Sequence, residues 1–195
     1  MNVKGLLAVT LTALALSLGD VSRLPQGWST QATLDASQAC RAKVVGGGDG
    51  AGNRLMIRCG SSHAGVYSVT QSISAEPYRG RRVLLSARIR GQALQGRAGL
   101  VLKAETRERR LLAMDDMRLN PVQGDTRWID ARVLLDVDPD ADSITLGAAV
   151  EAGAGTAWVE SVRFDVASAD DAGIAVVVRP EAPALPAQPR NLGFR

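Results

Sequence analysis

The chain has 195 residues, a formal net charge of +3, and 46% hydrophobic but only 4% aromatic side chains. This length suits one well-cored domain with flanking segments. A protein built from several membrane spans is excluded, because a long apolar run occurs only near the N-terminus.

The N-terminus has the pattern of a secretory signal peptide. A basic start at Lys4 precedes an uncharged, mostly apolar run over residues 5–19. This run is shorter than the roughly 20 residues that a bilayer-spanning helix needs, and Ser17 and Gly19 are small residues that suit signal peptidase. We predict a signal peptide over residues 1–19 and a periplasmic or extracellular location. Retention of the segment as an N-terminal anchor is the alternative.

Two cysteines in an exported chain favour a disulfide. A glycine-rich connection over residues 46–53 joins two β-like runs. If Val45 faces Arg54 across this connection, Cys40 faces Cys59 without a shift of register, within reach of a disulfide. We predict the Cys40–Cys59 disulfide. No metal site is expected, because two cysteines and one histidine are too few for the usual zinc ligand set.

Short β-like runs follow one another from a leader over residues 20–26 to residue 166. Alternation is clearest between Val83 and Ile89, where every second residue is apolar. The predicted strands are residues 31–34, 39–45, 54–59, 66–74, 82–90, 98–104, 110–114, 128–137, 143–150 and 156–166. This rhythm predicts an all-β fold, a two-sheet antiparallel β-sandwich or jelly roll, over residues 27–166.

The last strand and the tail carry two further expectations. Strict alternation after Gly155 places Trp158 and Phe164 on one face, with Val162 and Val166, and predicts both rings in the core. Residues 167–195 form an Ala/Pro-rich tail. Either this tail is untethered, or residues 191–194 return to a sheet edge as a strand.

Several pieces of the chain, taken in order, resemble a known pattern. They are Gly27–Trp28, residues 71–75 and 78–83, Gly99–Leu100, Asp116–Met117, Pro121, Gly124 with Thr126 and Trp128, residues 135–144 and residues 155–164. In this order they resemble bacterial jelly-roll domains related to carbohydrate-binding modules and galactose-binding-like domains. The resemblance implies a two-sheet β-sandwich in which Trp128 packs at the start of a core strand. Related modules hold a structural calcium ion with an acidic pair that here is interrupted as Glu160–Ser161, so no metal is expected there.

Catalytic motifs are weak in this chain. His63 follows two serines, but no nucleophile-elbow motif accompanies them, and a turn is the preferred interpretation. Asp115 and Asp116 would supply the paired carboxylates of a glycosidase, yet the resemblance places them in a loop with one matching acidic residue. We predict a protein that is not an enzyme and has no cofactor.

A sugar-binding site needs a ring that stacks on the sugar and polar groups that fix its hydroxyls. The predicted ligand-binding residues are Tyr67, Tyr78, Arg88 and Arg90, the two arginines lying on the outward face of their strand. Arginines recur at positions 79, 81, 82, 88, 90 and 97, as a solvated face or as a basic patch.

The sequence therefore predicts a secreted non-catalytic binding module for a carbohydrate or an anionic cell-envelope polymer. A structural or protein-interaction sandwich without a sugar site is the alternative. Nucleic acid is not expected as the partner of an exported domain, and no membrane span is expected after signal cleavage.

Overall fold

The computed structural model describes residues 24–46, 52–168 and 171, and it confirms the predicted two-sheet antiparallel β-sandwich. The predicted signal peptide and nearly all of the predicted tail, including residues 191–194, lie outside the described residues. The strands are β1 Trp28–Ala32, β2 Cys40–Val45, β3 Arg54–Cys59, β4 Val66–Ser74, β5 Arg82–Gln92, β6 Leu94–Glu105, β7 Leu111–Asp115, β8 Val122–Gly124, β9 Ile129–Asp136, β10 Ser143–Glu151 and β11 Gly155–Val166. One short helix, α1 Leu34–Ala39, and a 3₁₀ turn at Glu76–Tyr78 accompany them.

The strands form two sheets whose inner faces make one core. Sheet A has the order β1-β4-β10-β6-β7, with β8 also paired to β6, and sheet B has the order β2-β3-β11-β5-β9. Alternate residues of each strand point inward, and the largest fully buried side chains include Leu85 and Ile89 of sheet B and Leu100, Leu102 and Ile144 of sheet A. Within the described residues, no helix has the length and hydropathy needed to cross a bilayer.

The predicted register of the first hairpin in sheet B is confirmed. Val45 pairs with Arg54 and Cys40 with Cys59, and the two cysteines form a disulfide that closes a sequence separation of 19 residues. Both cysteines are buried in the core. The disulfide therefore fastens the outer strand β2 to the rest of sheet B.

Two local elements differ from the sequence prediction. The first strand lies earlier than predicted, at β1, and the segment after it forms α1, where helix-compatible residues place Ala36 in the core. The amide of Ser37 donates to the carbonyl of Thr33 at 2.8 Å, which closes the first helical turn. The three-residue strand β8 was not predicted, because so short a run gives no alternation to recognise.

A β-bulge in β11 overturns the prediction that Trp158 and Phe164 share a face. Glu160 pairs with Arg88 of β5, but the next pair on that face is Arg163 with Ser86, so β11 contains one extra residue there. Ser161 has a φ of 56° at this bulge. As a result, Phe164 packs against the core, whereas Trp158 is half-buried and lies outside the core cluster.

Candidate functional site

A groove with a volume of about 300 Å³ crosses the outer face of sheet A. Alternation brings Arg97, Gly99, Val101 and Lys103 of β6 to this face. Small and polar side chains of β4 and β10 continue it, namely Ser68, Thr70, Thr145 and Ala149. Most of the side chains along the middle strands are small, so they leave a depression between the larger side chains that flank it.

Charged side chains stand at both ends of the groove. At one end, Arg97 forms an ion pair with Glu151 and lies 3.7 Å from Asp116, whose carboxylate is 3.0 Å from Arg118. At the other end, Nζ of Lys103 is 3.0 Å from a carboxylate oxygen of Glu105. These ion pairs are partly shielded from water, so the groups are held in place and still have hydrogen-bonding capacity toward a polar ligand.

The floor of the groove is lined by small polar and apolar groups. Thr70 and Thr145 are buried, and the hydroxyl of Thr145 is 3.0 Å from that of Ser72. Beside them, Gly147 lets β10 approach β4 closely, because a Cβ at this position would lie 2.1 Å from the main-chain oxygen of Val69. No tryptophan, tyrosine or phenylalanine is among the described residues that line the groove, so binding there would rely on hydrogen bonds rather than ring stacking.

The neighbouring carboxylates Asp115 and Asp116 have different surroundings. Asp116 lines the groove, whereas Asp115 accepts a hydrogen bond from the amide of Met117 at 3.1 Å and one from the main chain of Leu134 in sheet B. Burial raises the pKa of Asp115, and the hydrogen bonds to Met117 and Leu134 oppose that rise. The two carboxyl groups thus do not face one another across the groove as a glycosidase pair would.

The two predicted tyrosines are engaged in packing. Tyr67 of β4 points into the core and is 7% exposed. Tyr78 packs edge-on against Phe164 with ring centroids 5.2 Å apart. Sequence alternation did not reveal these positions, because Tyr67 is followed by the polar Ser68 and Tyr78 lies in the 3₁₀ turn, where no strand alternation applies.

The predicted Arg88 belongs to an ion-pair cluster on the outer face of sheet B. The buried carboxylate of Glu160 accepts hydrogen bonds from Nη1 of Arg88 at 2.8 Å and from Nε of Arg54 at 2.7 Å. Trp128, which the resemblance places at the start of a core strand, directly precedes β9. Its ring lies over both guanidinium groups, with the ring centroid 5.5 Å from Cζ of Arg88 and 5.6 Å from that of Arg54. We refer to these four residues as the Glu160 cluster.

The predicted Arg90 is exposed one row away on the same outer face, where it pairs across the sheet with Trp158. The arginines of the predicted patch are otherwise dispersed. Arg82 is bound to Asp136, Arg97 lies on sheet A, and Arg79 donates to the carbonyl of Ala141.

His63 does not form a catalytic pair with its serine neighbours in the structure. The imidazole is buried, and its Nε2 lies 3.3 Å from the disulfide sulfur of Cys40. The ligand atoms of Cys40, Cys59 and His63 lie within 4.8 Å of one another, but both sulfur atoms are committed to the disulfide. That the domain has no metal site stays a prediction.

No protein-family model matches the chain. Among curated proteins, it is similar to an uncharacterized HTH-type transcriptional regulator, YbfP, of Bacillus subtilis, with 29% identity over 98 residues that make up 50% of this chain and 33% of that protein. The chain therefore spans about a third of the length of this relative.

Solved structures share the β-sandwich fold. A xylan-binding domain of carbohydrate-binding module family 22 aligns with a TM-score of 0.51 and 10% identity over 74% of this chain and 89% of that one. A tandem of two family 22 modules from Paenibacillus barcinonensis Xyn10C has a TM-score of 0.54 and 13% identity, covering 85% and 45%. The family 22 and catalytic modules of Clostridium thermocellum xylanase 10B, complexed with xylohexaose, have a TM-score of 0.51 and 13% identity, covering 73% and 26%. The TM-scores show a shared fold, and at 10–13% identity they show the fold alone. The resemblance to carbohydrate-binding modules expected from the sequence is confirmed at the level of the fold.

Proposed function

We propose that this chain is a secreted, non-catalytic module that binds a carbohydrate in the groove of sheet A. The observation that carries the proposal is the groove itself, with guanidinium, ammonium, carboxylate and hydroxyl groups along its length. A sugar hydroxyl both donates and accepts hydrogen bonds, so a row of mixed donors and acceptors matches its chemistry. The volume of about 300 Å³ is at the lower end for ligand pockets, which suits one or two sugar units.

The ligand would meet the most polar part of the groove between Arg97, Asp116 and Glu151. Carboxylate oxygens would accept from hydroxyls, and the guanidinium of Arg97 would donate to hydroxyl or ring oxygens. Because the groups already bind one another, they need little reordering when a sugar arrives. Without an aromatic platform in the groove, modest affinity is expected.

A non-catalytic role agrees with the environment of the acidic residues. The carboxylate of Asp116 is held by Arg97 and Arg118, and Asp115 is directed toward the main chain of sheet B. A retaining or inverting glycosidase instead needs two carboxyl groups on opposite sides of the scissile bond. The fold shared with modules described as xylan-binding supports the choice of ligand class.

Secretion is part of the proposal and rests on the N-terminal sequence. The Cys40–Cys59 disulfide is consistent with folding in an oxidising compartment such as the periplasm. Expression of the full chain in a bacterium, followed by fractionation and N-terminal sequencing, tests this part. A chain found only in the cytoplasm with an intact N-terminus would refute it.

Calorimetric titration of the disulfide-bonded protein with a panel of neutral oligosaccharides tests carbohydrate binding. We expect at least one ligand to bind, and Glu151→Gln to weaken it about tenfold, which corresponds to about 1.4 kcal/mol. Asp140→Asn is the matched control, because Asp140 is exposed on the turn between β9 and β10. Binding to none of the sugars, or equal loss in both variants, would contradict the proposal and favour a structural or protein-interaction domain.

A further inference from the structure

A second surface, on the outer face of sheet B, is built from basic side chains around one indole ring. Arg41 of β2 pairs with Arg58 of β3, and one row away Lys43 pairs with Met56, Met56 with Trp158, and Trp158 with Arg90. All four cations are exposed and Trp158 is half-buried. We call Arg41, Lys43, Arg58, Arg90 and Trp158 the basic face.

The charges of the basic face are not neutralised within the part of the chain that the structure describes. None of its four cations forms a salt bridge there, although the guanidinium of Arg41 donates to main-chain carbonyls at the end of α1. In the adjacent Glu160 cluster, by contrast, two arginines share a carboxylate. Like charges directly opposite one another across a sheet, as Arg41 and Arg58 are, destabilise it. An anion bound between them would relieve this repulsion.

The spacing of the cations suits an extended anion rather than a single small one. Neighbouring strands lie about 4.8 Å apart, so Lys43 and Arg90, three strand positions apart, are separated by about 14 Å across the sheet. The indole of Trp158 lies between them, and its N–H donates to the side-chain oxygen of Gln92 at 3.4 Å. That hydrogen bond orients the indole, whose residue lies one strand from Arg90 and two strands from Lys43 in this row.

We propose that the basic face binds an acidic polysaccharide, a chain whose sugars carry carboxylate or sulfate groups. The cations would contact acidic groups spaced along the polysaccharide chain, and Trp158 would pack against the C–H face of a sugar between them. Single-stranded nucleic acid is bound through several successive aromatic platforms. The five residues of the basic face include one ring, Trp158, and the ring of Trp128 nearby is engaged with the guanidinium groups of Arg54 and Arg88. The carbohydrate class rests on the proposed function, but the surface is separate from the groove, since the two occupy opposite sheets.

Titration with polygalacturonate, in parallel with a neutral oligosaccharide for the groove, tests the inference. We expect polygalacturonate to bind. The double variant Arg58→Ala/Arg90→Ala should weaken its affinity about tenfold or more and leave the affinity for the neutral oligosaccharide unchanged. Binding should also weaken several-fold between 50 mM and 200 mM salt, since screening acts on exposed charges. The control is Arg107→Ala/Arg110→Ala, which removes the same charge from the exposed turn after β6 in sheet A.

The outcomes separate this inference from the proposed function. Loss of polygalacturonate binding in the basic-face variant alone supports the inference even if no neutral sugar binds the groove. Equal loss in the control variant would show a general effect of net charge and overturn it. Tighter binding of a single-stranded oligonucleotide at the same salt would also overturn it, as would no binding of polygalacturonate. Far-ultraviolet circular dichroism of each variant checks that the sheet remains folded.

Discussion

Neutralising Glu160 by Glu160→Gln measures how much the Glu160 cluster stabilises sheet B. The carboxylate is 8% exposed and accepts hydrogen bonds from Arg54 and Arg88 at 2.7 and 2.8 Å. Hydrogen bonds to charged groups each contribute about 1.5–3 kcal/mol, against about 1 kcal/mol for neutral ones. The amide of glutamine keeps one acceptor and turns an N–H toward the second arginine, so one bond weakens and the other is lost.

The two bonds differ in how much water can replace them. The side chain of Arg88 is 46% exposed and that of Arg54 is 24% exposed, so solvent recovers a larger part of the loss at Arg88. We expect a net destabilisation of about 2 kcal/mol. For a domain of this size, that corresponds to a decrease in Tm of about 6–8 °C.

Thermal unfolding of Glu160→Gln is compared with that of Asp136→Asn. Asp136 binds Arg82 through two short hydrogen bonds, but both side chains are about half exposed, and such pairs contribute about 1 kcal/mol or less. The Asp136→Asn effect should shrink in 1 M salt, whereas the Glu160→Gln effect should largely persist. A decrease in Tm for Glu160→Gln no larger than that for Asp136→Asn would refute the reasoning.

Three further predictions concern stability. Joint replacement of Cys40 and Cys59 by alanine should lower the free energy of unfolding by about 3 kcal/mol, because the disulfide closes a separation of 19 residues; an unchanged urea midpoint would contradict this. Burial raises the pKa of Asp115 because it favours the neutral carboxyl group. The free energy that this group contributes to the folded state is therefore fully present below the ordinary pKa of aspartate and is lost as the pH rises through the raised pKa. Asp115→Asn should therefore reduce the pH dependence of the free energy of unfolding, measured with urea between acidic and neutral pH. An unchanged pH dependence would count against this. Gly147→Ala should cost about 1–3 kcal/mol, since its methyl group would meet the main-chain oxygen of Val69; a wild-type Tm would show that β10 and β4 can separate.

Local periodicity predicted most strands and one cross-strand pairing from the sequence. The β2–β3 hairpin could be predicted in detail because its strands are adjacent in the chain and a single connection sets their register. The same reasoning did not extend to the groove. Its middle strands, β6 and β10, are far apart in sequence, and nothing local indicates that Arg97 lies opposite Glu151.

The positions of the aromatic residues were the hardest to predict. Tyr67 and Trp158 both occur in alternating strands, yet one points inward and the other outward. Alternation shows which residues share a face of a strand, but it does not show which face is buried. A β-bulge also interrupts the alternation itself. The contact of Trp128 with Arg54 and Arg88 could not be predicted, because the two arginines come from β3 and β5, which are not consecutive strands in the chain.

The extra residue at Ser161 also makes β11 tolerant to a change of length. Because two residues of β11 oppose one of β5 there, deleting one of them would leave Glu160 opposite Arg88 and Arg163 opposite Ser86. A relative shorter by one residue at this point would thus present the same side chains to solvent and to the interior. When homologous sequences are aligned, a one-residue gap here should be accepted, whereas a gap of the same size before Trp158 would exchange the two sides of the strand.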